Sequence, residues 1–156
     1  TIKGTERIQQ CLDEWGINFH LLEFPQSTRT AQEAAEAIGC QLGQIAKSIV
    51  FKTKSSEKPV LVIASGVNRI DEKKIKQWEG EKVEKADADF TLAHTGYVIG
   101  GIPPVGHLQP ITTYIDEDLF NYTHIWAAAG TPHSVFQLTP QQLKQITRGQ
   151  VTCIKK

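Results

Sequence analysis

The sequence predicts an α+β fold: a mixed, largely antiparallel sheet, curled and barrel-like, surrounded by short helices. Three observations carry this. Two pairs of β-rich runs, residues 44–52 (QIAKSIVFK) with 59–65 (PVLVIAS) and 125–129 (IWAAA) with 135–138, are each joined by a short turn, as hairpins are. Short segments with helical spacing and capping signals lie between and around them. No repeat, linker or low-complexity stretch divides the 156 residues, so a single domain over 1–156 is expected.

In chain order, Ile8, Cys11, Leu12 and Trp15 fall at i, i+3, i+4 and i+7, and Gly16 stands where a helix ends. This is a first amphipathic helix. Residues 17–24 then alternate up to Pro25, which reads as a strand carrying His20. Thr30 and Glu33 form a capping box for an Ala-rich helix ending near Gly39, and the amides at its start, with Arg29, offer donors to a phosphate or carboxylate. Lys47 is a cation at the start of a strand, among Ile45, Ala46, Ile49 and Val50. A lysine that packs its stem on apolar surface and keeps its amine in water satisfies that pattern by itself.

After a turn at 66–68, Asp71 caps a helix that contains Ile75 and Trp78; its Lys73, Lys74 and Lys76 read as a solvated face, with an RNA-backbone contact as the weaker alternative. Asp87 caps the next helix and Gly96 closes it. Residues 111–115 alternate as a strand. Thr139, Pro140 and Gln142 supply a cap, a first-turn proline and a capping-box partner for a helix over 141–147, and residues 151–154 form the last strand.

Residues 96–107 (GYVIGGIPPVGH) stand apart. Four glycines and two prolines in twelve residues exclude a regular helix and a central strand, while Val98, Ile99, Ile102 and Val105 mark the stretch as a buried loop with fixed turns. Such a loop can bring its backbone close to a small molecule, although a purely structural turn has the same composition.

Lys plus Arg equals Asp plus Glu at 17 each, so the whole-molecule field does not hold a polyanion and any nucleic-acid contact is local. No apolar stretch has the length of a membrane span or a secretory signal, which predicts a soluble cytoplasmic protein with no membrane partner. Cys11, Cys40 and Cys153 are odd in number and widely spaced, suiting neither a disulfide framework nor a metal knuckle; they read as buried thiols in a reducing compartment. His20, His94, His107, His124 and His133 show no HxxxH or HExxH spacing, and GxxxxGK[ST], GxGxxG and GxSxG are all absent. No cofactor, no metal and no covalent nucleophile are expected.

Lys47 within AKSIVF, the GGIPPVGH loop with its GxxxP spacing from Gly100 to Pro104, and AAAGTPH over residues 127–133 together resemble the YbaK/prolyl-tRNA synthetase-associated editing domain family. The resemblance covers nearly the whole chain, from the Thr30 helix to the Gln141 helix. It implies a freestanding trans-editing hydrolase that cleaves the ester between a wrong amino acid and the 3′ adenosine of a tRNA, most often tRNA for proline carrying a small residue such as Ala or Cys.

In that reading Lys47 engages the terminal phosphate or ribose, and the backbone of Gly100 and Gly101 holds the aminoacyl group and orients the attacking water. Gly130 and His133 belong to a later turn that closes the pocket. Thr30, Ser48, Ile49, Ile102, Pro103 and Pro104 complete the substrate-binding set, with Ile45, Val98 and Val105 as further candidates for the wall; His107 receives no role. The implied partners are the acceptor end of a mischarged tRNA and a synthetase or elongation factor that delivers it. An aminoacyl ester is already activated, so positioned water and backbone dipoles can suffice without metal, and pocket size can sort substrates. The alternative is a non-catalytic module that binds an amino acid, a nucleotide or a tRNA 3′ end in the same pocket.

Overall fold

A computed structural model describes residues 4–16 and 20–156. Eight strands form one mixed sheet in the order β1-β7-β6-β2-β3-β5-β8, with β4 attached to β2. Its centre is the expected hairpin of β2 (Ile45–Thr53) and β3 (Pro59–Ser65), paired from Ala46↔Ser65 to Lys52↔Pro59. β6 (Ile125–Ala128) and β7 (Ser134–Leu138) form the second hairpin, and β1 (His20–Glu23) adds to β7; residues 17–19 of the strand expected there lie outside the described residues. β5 (Thr112–Asp116) lies parallel to β3, β8 (Gln150–Thr152) parallel to β5, and β2 parallel to β6. The described pairings run as an open path from β1 to β8 and do not close into a barrel.

Both faces of the central strands are buried, which is why β3 reads as an unbroken apolar run. Leu61 and Ile63 face a core shared with Ile8 and Leu12 of α1 (Gly4–Glu14) and Leu143 and Ile146 of α5 (Pro140–Thr147). Val60, Val62 and Ala64 face the opposite core with Ile75 of α3 (Glu72–Glu79) and Ile154. Ala34 and Ala35 of α2 (Ala31–Ile38) pack with Ile45, Trp126 and Val135. The expected capping boxes are present: Glu33 N–H donates to Thr30 Oγ1 (3.1 Å) while Thr30 N–H donates to Glu33 Oε1 (3.2 Å), and Thr139 and Gln142 do the same for α5. Asp71 caps α3; Asp87 caps α4 (Ala88–Thr95), which ends at Gly96 in the left-handed conformation.

Several details differ from the sequence reading. The short strand β4 (Val83–Lys85) has no alternating apolar signal; only its pairing with Phe51–Thr53 makes it a strand. The last strand ends at Thr152, and the chain beyond it continues into an isolated bridge between Ile70 and Lys155. The three cysteines are free and half-buried rather than buried. Lys74 turns away from solvent, its Nζ donating to Lys155 O (2.7 Å) and Cys153 Sγ (3.3 Å), so it is committed to the fold.

What positions the site is a break in the ladder beside β2. On the side away from β3, β2 pairs with β6 only at Ile45 and Ala46 and with β4 only from Phe51 onward, leaving residues 47–50 outside either described ladder there. Ala86 N–H donates to Val50 O (3.0 Å), so by alternation the backbone groups of Ser48 also point into the gap. The Gly/Pro loop covers it.

In that loop, residues 101–105 are buried, whereas Val98 and Ile99 are 47% and 39% exposed. Gly101 N–H donates to Val98 O (3.0 Å), closing a turn whose third residue, Gly100, has φ +91°, a value that favours glycine. Tyr97 Oη donates to Gly106 O (2.9 Å) and His107 Nε2 donates to Pro103 O (2.7 Å), which together pin the loop to itself.

Burial holds the His107 pKa below 6.5, although its bond to Pro103 O pulls the other way. The unfolded chain therefore binds the proton first as pH falls below about 6.5, and stability declines with pH through the window between the two values. We expect the urea midpoint to drop more for wild type than for His107→Gln between about pH 7.5 and 5.5. Equal drops would show that His107 stays solvated.

Candidate active site

At the head of the gap lies a small cleft of about 60 Å³. Its walls come from the entry to α2 (Thr28 to Ala31, and Ala34), the start of β2 (Ile45 to Ser48), the loop (Gly100 and Ile102), and Trp126, Ala127, Ala128 and Val135 of the second hairpin. Thr28 is fixed by two bonds to one acceptor, its N–H (2.7 Å) and its Oγ1 (3.1 Å) both donating to Pro132 O. This ties the α2 entry to the 130–133 turn.

Of the residues expected to form a site, Lys47, Gly100, Thr30, Ser48 and Ile102 line this cleft, as does the wall candidate Ile45. Ile49 lines an adjoining, mainly apolar cavity of about 240 Å³ together with Ser48 and Ile102. Gly101 lies behind the cleft: a Cβ there would come 2.7 Å from the carbonyl carbon of Thr131 and 2.9 Å from its Cα. Its N–H is committed to Val98 O, so Gly101 shapes the loop, while no intramolecular partner holds the N–H of Gly100 or Ile102 among the described residues.

Pro103 and Pro104 are buried within the loop and line neither cavity, and Val105 belongs to the core. Val98 is exposed and lines neither cavity. Gly130 is buried with φ +101°, which the turn requires. His133 is exposed and lines neither cavity; its Nδ1 donates to Gln26 O (3.0 Å).

Lys47 is half-buried and has no hydrogen-bond or ion-pair partner among the described residues. Burial and the positive charge of Lys85 hold its pKa below the usual lysine value; Asp116 opposes them and Arg69 adds a smaller push in the same direction. Asp116 is itself buried and occupied, accepting from Ser65 N–H (2.9 Å), Asn68 Nδ2 (2.8 Å) and Asp118 N–H (2.9 Å). The ammonium is thus left free for an external anion or oxygen. Ser48 Oγ is also buried without a partner. Arg29 completes the rim, its stem packed so closely on Gly100 that a Cβ there would lie 2.3 Å from Arg29 Cγ.

A model of the family described as the aminoacyl-tRNA editing domain matches residues 25–146, a span that contains every residue lining the cleft. The chain belongs to the aminoacyl-tRNA editing domain family. Among relatives of this editing domain, the "Uncharacterized protein YwhH" of Bacillus subtilis (strain 168) is 33% identical over 138 residues, covering 88% of this chain and 87% of its own length. The "Putative Cys-tRNA(Pro)/Cys-tRNA(Cys) deacylase EbsC" of Enterococcus faecalis (strain ATCC 700802 / V583) is 31% identical over 122 residues, 78% of this chain and 74% of that protein. A crystal structure described as that of "a putative trans-editing enzyme for prolyl tRNA synthetase" is 40% identical, with a TM-score of 0.91 over 100% of this chain and 99% of the other.

Thr28, Ala31, Ala34, Ala46, Trp126, Ala127, Ala128 and Val135 line the cleft of this editing domain without having been expected there from the sequence. An apolar residue has the same pattern whether it lines a cleft or a core, so the alanines, Trp126 and Val135 carried no signal of their own. Thr28 had one, lying just before Arg29 and a capping box. No described helix is long and apolar enough to cross a membrane.

Proposed function

We propose that this editing domain, acting over residues 1–156 as one unit in the cytoplasm, is a trans-editing hydrolase. It releases a small, wrongly attached amino acid, Ala or Cys, from the 3′ end of tRNA for proline. The observation that carries the reading is the unpartnered Lys47 ammonium on a small cleft that also holds Gly100 and the start of α2. The name of the Enterococcus relative supports deacylation, with tRNA for proline as one of its two carriers, and that of the 40% identical structure supports trans-editing linked to prolyl-tRNA synthetase.

Lys47 engages a phosphate or ribose oxygen of the terminal adenosine and fixes the ester across the mouth of the cleft. Water attacks the ester carbonyl carbon; the bond from that carbon to the ribose oxygen breaks, and the ribose oxygen keeps a proton from the water. Gly100 and Ile102 line the cleft with free N–H groups, which serve as donors for the charge that develops on the carbonyl oxygen. Thr30, Ser48, Ile49, Pro103, Pro104, Gly130 and His133 shape and frame the pocket, and the substrate arrives from a synthetase or an elongation factor.

A cleft of about 60 Å³ has room for a few waters or a small side chain. Size exclusion of this kind separates side chains by about 10- to 200-fold. Deacylation of tRNA for proline charged with Ala, Ser, Cys or Pro tests the reading. Release of Ala or Cys with Pro spared is the expected result. Release from none, by folded protein that still binds the tRNA end, would make this a binding module instead.

A further inference from the structure

Beside the cleft, and sharing Lys47 with it, runs a groove of about 380 Å³ whose rim carries Lys47, Arg69, Lys85 and Lys156. We propose that this groove carries the phosphodiester backbone of the single-stranded 3′ end of the tRNA while the terminal ester occupies the cleft. The proposal rests on the editing reading above and adds the track by which the substrate is held.

The groove is a product of strand geometry. Lys47, Ile49 and Phe51 alternate onto one face of β2, about 7 Å apart in succession, so the lysine of the cleft is also the first residue of the groove. Lys85 is next to it because β4 pairs with β2, in register Phe51↔Lys85. Arg69 comes from the turn after β3. That turn is anchored by Asn68 Nδ2, which donates to Asp116 Oδ2 and Asp118 Oδ2 (2.8 Å each), and by Lys156 N–H, which donates to Arg69 O (3.2 Å). Four segments distant in sequence thereby converge their cations on a floor formed by Ile49 and Ile70.

The charges are uncompensated. None of the four side chains has an ion-pair or hydrogen-bond partner among the described residues, and Glu72 is the single carboxylate residue lining the groove. Three cations elsewhere are matched, Lys52 with Glu57 (3.5 Å), Lys54 with Glu84 (4.0 Å) and Lys155 with Asp118 (2.8 Å); what sets the groove apart is that four unmatched cations line one concavity. Because the chain has no net charge, this cluster is a local excess. Burial is the first cause of the lowered Lys47 pKa, and Lys85 and, to a smaller extent, Arg69 add to it against the pull of Asp116. A ligand that matches the local excess brings repeating negative charge and ends in the cleft, which describes a single strand of RNA better than a free anion.

Fluorescence anisotropy of uncharged tRNA for proline, titrated over a salt series, tests this with wild type, Arg69→Glu, Lys85→Glu and Lys144→Glu. Lys144 is exposed on α5 and does not line the groove, so its reversal controls for net charge. Each groove variant should weaken binding about tenfold or more at low salt and flatten the slope of log K against log salt by about 1. Lys144→Glu should stay within about twofold of wild type. Groove variants that bind like wild type, an equal loss in Lys144→Glu, or wild-type binding with no salt dependence would each overturn the proposal. Because binding is read without hydrolysis, loss of the editing reading would show separately, as groove-dependent binding with no deacylation of any charged tRNA.

Discussion

Lys47→Met is expected to lower kcat/KM for release of the small amino acid by about 100-fold or more while leaving Tm at or above the wild-type value. Both halves follow from the same feature. The fold surrounds the Lys47 ammonium with burial and the positive charge of Lys85, and gives it no carboxylate within ion-pair distance among the described residues. Methionine keeps the unbranched stem that packs between cleft and groove and removes the charge. A variant that loses activity because it fails to fold would lose Tm as well, and that outcome would make Lys47 a structural residue.

The same environment sets a pH dependence. Because the pKa lies below the usual lysine value, the fraction of Lys47 that carries charge falls as pH rises through the lowered value. Activity should therefore decline on the alkaline side earlier than an ordinary lysine would allow. Lys47→Arg should retain charge over that range, so any activity it keeps should not show the decline.

Gly101→Val should lower stability by about 1 to 3 kcal/mol and reduce kcat/KM by more than about tenfold. The space a Cβ needs is occupied by Thr131 backbone atoms at 2.7 and 2.9 Å, which cannot rotate away as the end of a side chain can. The loop must lift from the 130–133 turn, and Gly100 and Ile102 move with it. Circular dichroism melts together with deacylation kinetics would read both effects. Wild-type values for both would mean that the loop is not seated against Thr131 as described.

Local chemistry along the chain was legible where it is decided by neighbours in sequence. The capping boxes at Thr30 and Thr139, the glycine ends at Gly39 and Gly96, the β2–β3 hairpin and the irregular Gly/Pro loop, buried over 101–105 but not at Val98 and Ile99, all follow from short-range sterics and hydrogen bonding. So did membership of the editing family, because AKSIVF, GGIPPVGH and AAAGTPH occur in order. Lys47, Gly100, Thr30, Ser48 and Ile102 could accordingly be named before any contact was known.

What required the tertiary structure were the relations between distant segments. The open edge of β2 exists because β6 pairs with its first residues and β4 with its last, and β4 has no pattern of its own. The different standing of Gly100 and Gly101, one lining the cleft and one seating the loop, depends on Arg29 and Thr131, which are remote in sequence. The cationic groove gathers Lys47, Arg69, Lys85 and Lys156 from four segments of a chain with no net charge. Steric and hydrogen-bonding preferences act over a few residues and are written locally. Electrostatic fields and cavities depend on which segments come to lie side by side, and only the folded chain decides that.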